Sequence, residues 1–155
     1  MSDLNIDKEL TWLISDHMTE YVIAFAKIID NEVSASQYFI LHTIQESGPK
    51  TSSELAALLG VSLPAITNLT NKLETKGYVE RQVMHEDRRN IRVMITAQGK
   101  AIVERMQEKH CKLSESLLTT FSQEEKERLV LAYRKMIQVL KQEAGMQTVD
   151  REKTE

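Results

Sequence analysis

The sequence predicts a mainly α fold with one small β-hairpin, an α+β chain organised as a single domain. Three observations carry this. Apolar residues recur at three- and four-residue spacing through most of the 155 residues, the mark of helices that bury one face. That period gives way after Gly77, where Ile91, Val93 and Ile95 alternate with Arg92, Met94 and Thr96 as in a half-buried strand. Helix starts carry repeated capping boxes, and only five glycines and two prolines interrupt the chain.

The first helix is expected over residues 6–30. Ile6, Leu10, Leu13, Ile14, Met18, Tyr21, Val22, Phe25, Ile28 and Ile29 line one face, a stripe longer than a small lobe can cover. Part of it is therefore expected to pack on a second subunit. A second helix starts at Ser34, whose hydroxyl and the Gln37 side chain form a capping box. Phe39, Ile40, Leu41 and Ile44 give it a core face, and Gly48-Pro49 stops it. A third starts at Thr51, boxed with Glu54, and runs through Leu55, Ala56, Leu58 and Leu59 to Gly60. A fourth begins at Ser62, with Pro64 in the first turn, where a missing N–H costs nothing. Its predicted buried stripe is Ile66, Leu69 and Leu73, and Gly77 ends it.

Residues 78–84 and 91–96 form the predicted hairpin, with the polar tip His85-Glu86-Asp87-Arg88-Arg89-Asn90. Thr96 caps a fifth helix whose apolar positions are Ile102, Met106, Leu113, Leu117 and Leu118. A sixth begins at Ser122, boxed with Glu125, and uses Leu129, Ala132, Tyr133, Met136, Ile137 and Leu140. Residues 146–155 are polar and unpatterned, which predicts a disordered tail.

Composition excludes several classes. Apolar residues at 41% and charged residues at 28% are globular proportions. No apolar run approaches the roughly 20 residues of a membrane helix, and the acidic, polar N-terminus is unlike a signal peptide. The lone cysteine, Cys111, cannot form an internal disulfide and suits a reducing compartment, so a cytoplasmic address is expected. The net charge of −3 argues against nucleic acid as a partner until its distribution is considered. Between Ser62 and Lys100 seven Lys and Arg residues face four acids, whereas Met1 to Ala35 holds two against seven. Since salt screens charge beyond about 10 Å, a basic middle governs what that face meets.

The third and fourth helices, joined by Gly60-Val61-Ser62, match a helix-turn-helix over residues 51–77, whose second helix lies in a DNA major groove. Opposite the buried stripe that helix presents Pro64, Ala65, Thr67, Asn68, Asn71 and Lys72. Small residues let its backbone sit deep in the groove, while Thr67, Asn68 and Asn71 can hydrogen-bond to base edges. Lys72 and the hydroxyls of Thr51, Ser53 and Ser62 suit phosphates. Taken alone, the segment also reads as an ordinary helical hairpin with a solvated polar face. The hairpin over residues 78–96 tips the balance. Its tip carries Asp87, Arg88 and Arg89 where a structural turn would carry glycine. An arginine there can enter the narrow minor groove, held by the aspartate two residues earlier, although a solvated charge cluster is the common alternative.

Several runs in order complete a pattern: Gln37-Tyr38-Phe39-Ile40-Leu41, Ser53-Glu54-Leu55-Ala56, residues 73–81, Asp87-Arg88-Arg89, and Ile95-Thr96-Ala97-Gln98-Gly99. Together they resemble the MarR family of bacterial transcriptional regulators over about residues 6–143. The resemblance implies a winged helix-turn-helix lobe held between dimerisation helices, residues 6–30 and 97–143. It also implies that Arg89 enters the minor groove and that Asp87 orients it. Regulators of this kind usually act as homodimers on pseudo-palindromic operators in double-stranded DNA and are released by an effector.

The effector is the least constrained part. The hydroperoxide-sensing branch uses a cysteine early in the first helix, where this chain has Trp12, Leu13 and Ile14. Cys111 lies far from that region and reads as structural or incidental. The zinc-responsive branch places Glu-His after the glutamine of the second helix, where Tyr38 and Phe39 stand here. The four histidines also lack ligand spacing, so neither metal nor cofactor is expected. A small-molecule effector remains, with His17, Met18, Tyr21, Tyr38 and His42 as candidate lining residues. No phosphate loop, carboxylate cluster or Cys/His couple supports an enzyme. A winged-helix interaction module that has lost DNA binding is the alternative, and it should lack the arginines kept at 88 and 89.

Overall fold

A computed structural model describes residues 3–29, 32–83 and 91–143. The tail expected at residues 146–155 and the hairpin tip with Asp87, Arg88 and Arg89 lie outside the described residues. Among the described residues, six helices and three short strands run in the order α1 (Asp3–Ile28), α2 (Ala35–Ser47), β1 (Lys50–Thr51), α3 (Ser52–Leu59), α4 (Leu63–Thr75), β2 (Val79–Val83), β3 (Ile91–Ile95), α5 (Ala97–Leu118) and α6 (Gln123–Glu143).

The caps form where the sequence places them. Ser34 and Gln37 bond reciprocally at the start of α2, as do Thr51 and Glu54 at α3. Ser122 and Glu125 do the same at α6. Helix α3 stops at Gly60, which adopts φ 64° and ψ 31°, a left-handed conformation that costs glycine little. Helix α4 closes with a Schellman-type turn, in which the Tyr78 N–H donates to Leu73 O and the Gly77 N–H to Glu74 O, both at 2.9 Å.

The sheet has order β1-β3-β2, all antiparallel. Strand β1 is an addition to the predicted hairpin: Lys50 pairs with Val93 and Thr51 with Arg92. Two residues carry no periodicity to read. Thr51 thus serves twice, its backbone in the sheet and its hydroxyl as the cap of α3.

The core sits within the lobe from α2 to α5. Ile40, Leu41, Leu55, Ile66, Leu73, Val103 and Met106 are fully buried, with Val79 and Val93 closing it from the hairpin. Two core expectations change. In α4, Thr70 is fully buried and Leu69 only half so, because Thr70 faces α4's partners and satisfies its hydroxyl on Ile66 O at 2.9 Å. In α2, Phe39 is 47% exposed and flanks the core instead of entering it. Among the described residues, Phe25 of α1 and Ile29 just beyond its end pack against the core, and α6 buries no residue. The apolar face of α1 therefore stays uncovered in one copy, with Trp12 at 65% and Leu13 at 55% exposure, as does that of α6, with Leu131 at 61% and Leu140 at 63%.

Candidate nucleic-acid interface

Helices α3 and α4 and the turn between them form the predicted helix-turn-helix. Burial of Ile66, Thr70 and Leu73 fixes the roll of α4, and the opposite side carries Pro64, Ala65, Thr67, Asn68, Asn71 and Lys72, all exposed. Leu63, Pro64, Thr67, Asn68, Asn71 and Lys72 line one open groove that ends at Thr75 and Lys76. The structure thus brings the predicted α4 residues onto one surface; Ala65 is exposed but does not line the groove.

The polar atoms there differ in what they still offer. The Thr67 hydroxyl donates to Leu63 O at 2.9 Å, leaving its lone pairs. The Asn68 amide makes no hydrogen bond among the described residues, so both of its ends are open. Asn71 is already engaged: its Oδ1 accepts from Arg81 Nη2 at 2.6 Å, which fills one of its two lone pairs and leaves Nδ2 as a free donor. Thr51 and Ser62 accept from Glu54 N at 3.1 Å and Ala65 N at 3.4 Å. Each keeps its hydroxyl proton, which can donate to an anion at a helix N-terminus. Ser53 is exposed in the first turn of α3. Glu54 is held below its usual carboxylate range, first by the Thr51 N–H at 2.7 Å, which outweighs the opposing effect of burial, and further by the Thr51 hydroxyl, Arg92 and Lys50.

Arg81 and Thr70 are functional candidates that sequence reasoning missed. Arg81, on β2, bonds Thr70 Oγ1 at 3.0 Å and pairs with Glu74, so it ties the hairpin to α4. A signal existed: Thr70, Asn71 and Glu74 share one helix face, and only a tight turn separates that helix from Arg81.

The five residues proposed for an effector are partly assembled. Ring contacts run from His17 to Tyr21 at 5.7 Å, Tyr21 to His110 at 5.2 Å, His110 to Phe25 at 5.6 Å, Phe25 to Tyr38 at 5.6 Å and Tyr38 to His42 at 5.8 Å. The ladder spans α1, α2 and α5, with Tyr133 of α6 reaching His17 Nε2 at 3.4 Å. Met18 is 61% exposed and takes no part in it. Burial raises the Tyr38 phenol above its ordinary value, and the Glu46 carboxylate adds to this. His110 Nε2 is buried with no hydrogen-bond partner among the described residues. Cys111, beside it in sequence, is exposed. Among the described residues no group of three His, Cys, Asp or Glu could hold a metal, and no helix is long and apolar enough to cross a membrane.

Comparison with known proteins then identifies the family. The MarR family profile matches residues 33–91, from the start of α2 to the second hairpin strand. The HTH-type transcriptional regulator YwoH of Bacillus subtilis, itself uncharacterized, is 32% identical over 104 residues, covering 67% of this chain and 75% of YwoH. This chain belongs to the MarR family. YpoP of Bacillus subtilis, another uncharacterized HTH-type transcriptional regulator, is 39% identical over 83 residues, 54% of this chain. The chain spans 59% of YpoP's length. A MarR family protein from Bacillus stearothermophilus superposes with a TM-score of 0.81 at 23% identity, over 90% of this chain and 99% of the other. That likeness establishes the MarR fold for the helices flanking the lobe as well as for the lobe itself.

Proposed function

We propose that this MarR-family chain is a repressor that binds a pseudo-palindromic operator as a homodimer and is released by a small-molecule effector. The exposed small and polar face of α4 carries the reading. Pro64, Ala65, Thr67, Asn68 and Asn71 leave room for the helix in a major groove and offer amide and hydroxyl groups to base edges. Lys72, Thr51, Ser53 and Ser62 flank that face as phosphate donors. The hairpin tip supplies Arg88 and Arg89 to phosphate and minor groove, with Asp87 orienting Arg89. Double-stranded DNA is thus the partner, and two half-sites one helical turn apart require two copies of α4.

The homodimer reading rests on the uncovered apolar faces of α1 and α6. A monomer rarely leaves so many large apolar side chains in water, and a second copy of the same faces would bury them. The effector reading rests on the ring ladder, in which Tyr21 and Phe25 contact the His110 ring, His17 adjoins Tyr21, and Tyr38 joins Phe25 to His42; His110 Nε2 is buried with no hydrogen-bond partner among the described residues. That junction joins the lobe to the terminal helices, so a ligand there would bias their relative position.

Duplexes selected from a random pool by the purified protein, then titrated against Arg89→Ala, test the function. The expected loss is about 1–3 kcal/mol at moderate salt, from one charge-assisted contact and its released counterions. Asp87→Asn should lose less, in the same direction. Equal affinity of Arg89→Ala and the unaltered protein would remove the hairpin from the interface.

A further inference from the structure

Arg81 belongs to β2, yet its guanidinium is committed to α4. Nη1 pairs with the Glu74 carboxylate. Nη2 donates to Thr70 Oγ1 at 3.0 Å and to Asn71 Oδ1 at 2.6 Å. Thr70 is fully buried and gives its own proton to Ile66 O, so it meets the guanidinium as an acceptor. Three acceptors around one planar fork hold it in place, and the Arg81 side chain is only 25% exposed.

This arrangement decides which way the Asn71 amide points. A carboxamide has an acceptor end and a donor end, and only the oxygen can face a guanidinium. Turning the amide over would set donor against donor. Asn71 therefore offers Nδ2 to the groove it shares with Asn68 and Lys72. Bidentate recognition of adenine needs an asparagine to accept from the exocyclic amine while donating to N7. The Arg81 guanidinium, 2.6 Å from that oxygen, takes one of its two lone pairs and sets a positive charge against an amine approaching the other.

We propose that Arg81 sets base specificity by making Asn71 act on the groove as a hydrogen-bond donor in preference to an acceptor. Asn71 then selects the bases that present a carbonyl in the major groove, guanine through O6 and thymine through O4, against adenine and cytosine, which present amines there. Asn68, with both amide ends open, remains able to read adenine. The inference rests on the major-groove placement of α4 proposed above.

The test titrates every single-base variant of a selected duplex against the unaltered protein, Asn71→Ala, Asn71→Asp and Arg81→Gln. At one position in each half-site the unaltered protein should favour guanine or thymine over adenine and cytosine by about tenfold. Asn71→Ala should erase that preference, and so should Asn71→Asp, which keeps an acceptor for Arg81 but has no donor. Arg81→Gln should admit adenine at that position while leaving preferences elsewhere unchanged. The readout is a ratio among bases within one protein, so a general loss of stability or affinity in Arg81→Gln does not alter it. Adenine preferred at the Asn71 position by the unaltered protein would overturn the proposal. A uniform loss across all variants in Arg81→Gln, with the base ratio at that position kept, would reduce Arg81 to a structural tie. Failure of the unaltered protein to bind any selected duplex would instead remove the major-groove reading of α4, and this proposal with it.

Discussion

Gly99→Ala should destabilise the lobe severely, although the change adds one methyl group to a helix. Gly99 is in the first turn of α5, where its N–H donates to the capping hydroxyl of Thr96 at 3.1 Å. A Cβ at this position would stand 2.1 Å from Tyr78 O, 2.8 Å from Ile95 Cγ1 and 3.1 Å from the Tyr78 carbonyl carbon. Carbon and oxygen ordinarily meet at about 3.3 Å, so the start of α5 would have to withdraw by about 1 Å. Tyr78 O cannot easily yield, because it accepts from Thr96 N at 3.1 Å, and Thr96 Oγ1 in turn donates to Gly77 O at 2.6 Å. Overpacking and the loss of one such bond together cost about 2–4 kcal/mol, a large share of a stability of about 5–15 kcal/mol. Urea denaturation followed by circular dichroism, at matched protein concentration, measures it. Gly60→Ala is the control: nothing lies within 4 Å of its added carbon, but φ is +64°, so only backbone strain of about 1–2 kcal/mol is expected. A Gly99→Ala midpoint equal to or above that of Gly60→Ala would refute the steric account.

Three further outcomes are expected. Sedimentation at micromolar concentration should give twice the 17.8 kDa chain mass, and Leu140→Asp should shift it toward the single chain; a lone 17.8 kDa species in the unaltered protein would refute the dimer. Asn68→Ala should relax selectivity at particular operator positions by about 1–3 kcal/mol, whereas Lys72→Ala should weaken all duplexes alike and lower the salt slope by about one unit. Glu54 has a depressed carboxyl, so its stabilising effect is present above its unfolded range near 4.3 and is lost as pH falls through the lower folded value. Glu54→Gln should therefore flatten the acid limb of stability, by less than about 1 kcal/mol because the side chain is 46% exposed, and an unchanged limb in denaturant titrations from pH 6 to 3 would refute the assignment.

The fold was largely readable because its signals are local. A hydroxyl three residues before Gln37, Glu54 or Glu125 specifies a helix start by chemistry within one turn, and each box forms. The alternation of Ile91, Val93 and Ile95 likewise specifies a strand without reference to the rest of the chain. Strand β1 escaped because two residues have no period, and its pairing with β3 is made across more than forty residues. Thr70 escaped for another reason. A hydroxyl on a helix can satisfy itself on the carbonyl one turn back, which lets a polar residue take a core position reserved by pattern for Leu69.

The candidate site was readable to the level of which face of α4 is exposed, and no further. Periodicity places Asn68 and Asn71 on that face together and gives them the same amide, so the sequence treats them as equivalent. They are made different by a residue on another element. Arg81 occupies one end of Asn71 and leaves Asn68 alone, a distinction that depends on how the turn at Gly77 lays β2 beside α4. Hydrophobic pattern determines which side of a helix meets solvent, whereas the chemistry that side offers depends on what its polar atoms have already bonded. A helix face read from the sequence alone therefore overstates its hydrogen-bonding capacity wherever a neighbouring arginine reaches it, as at Asn71.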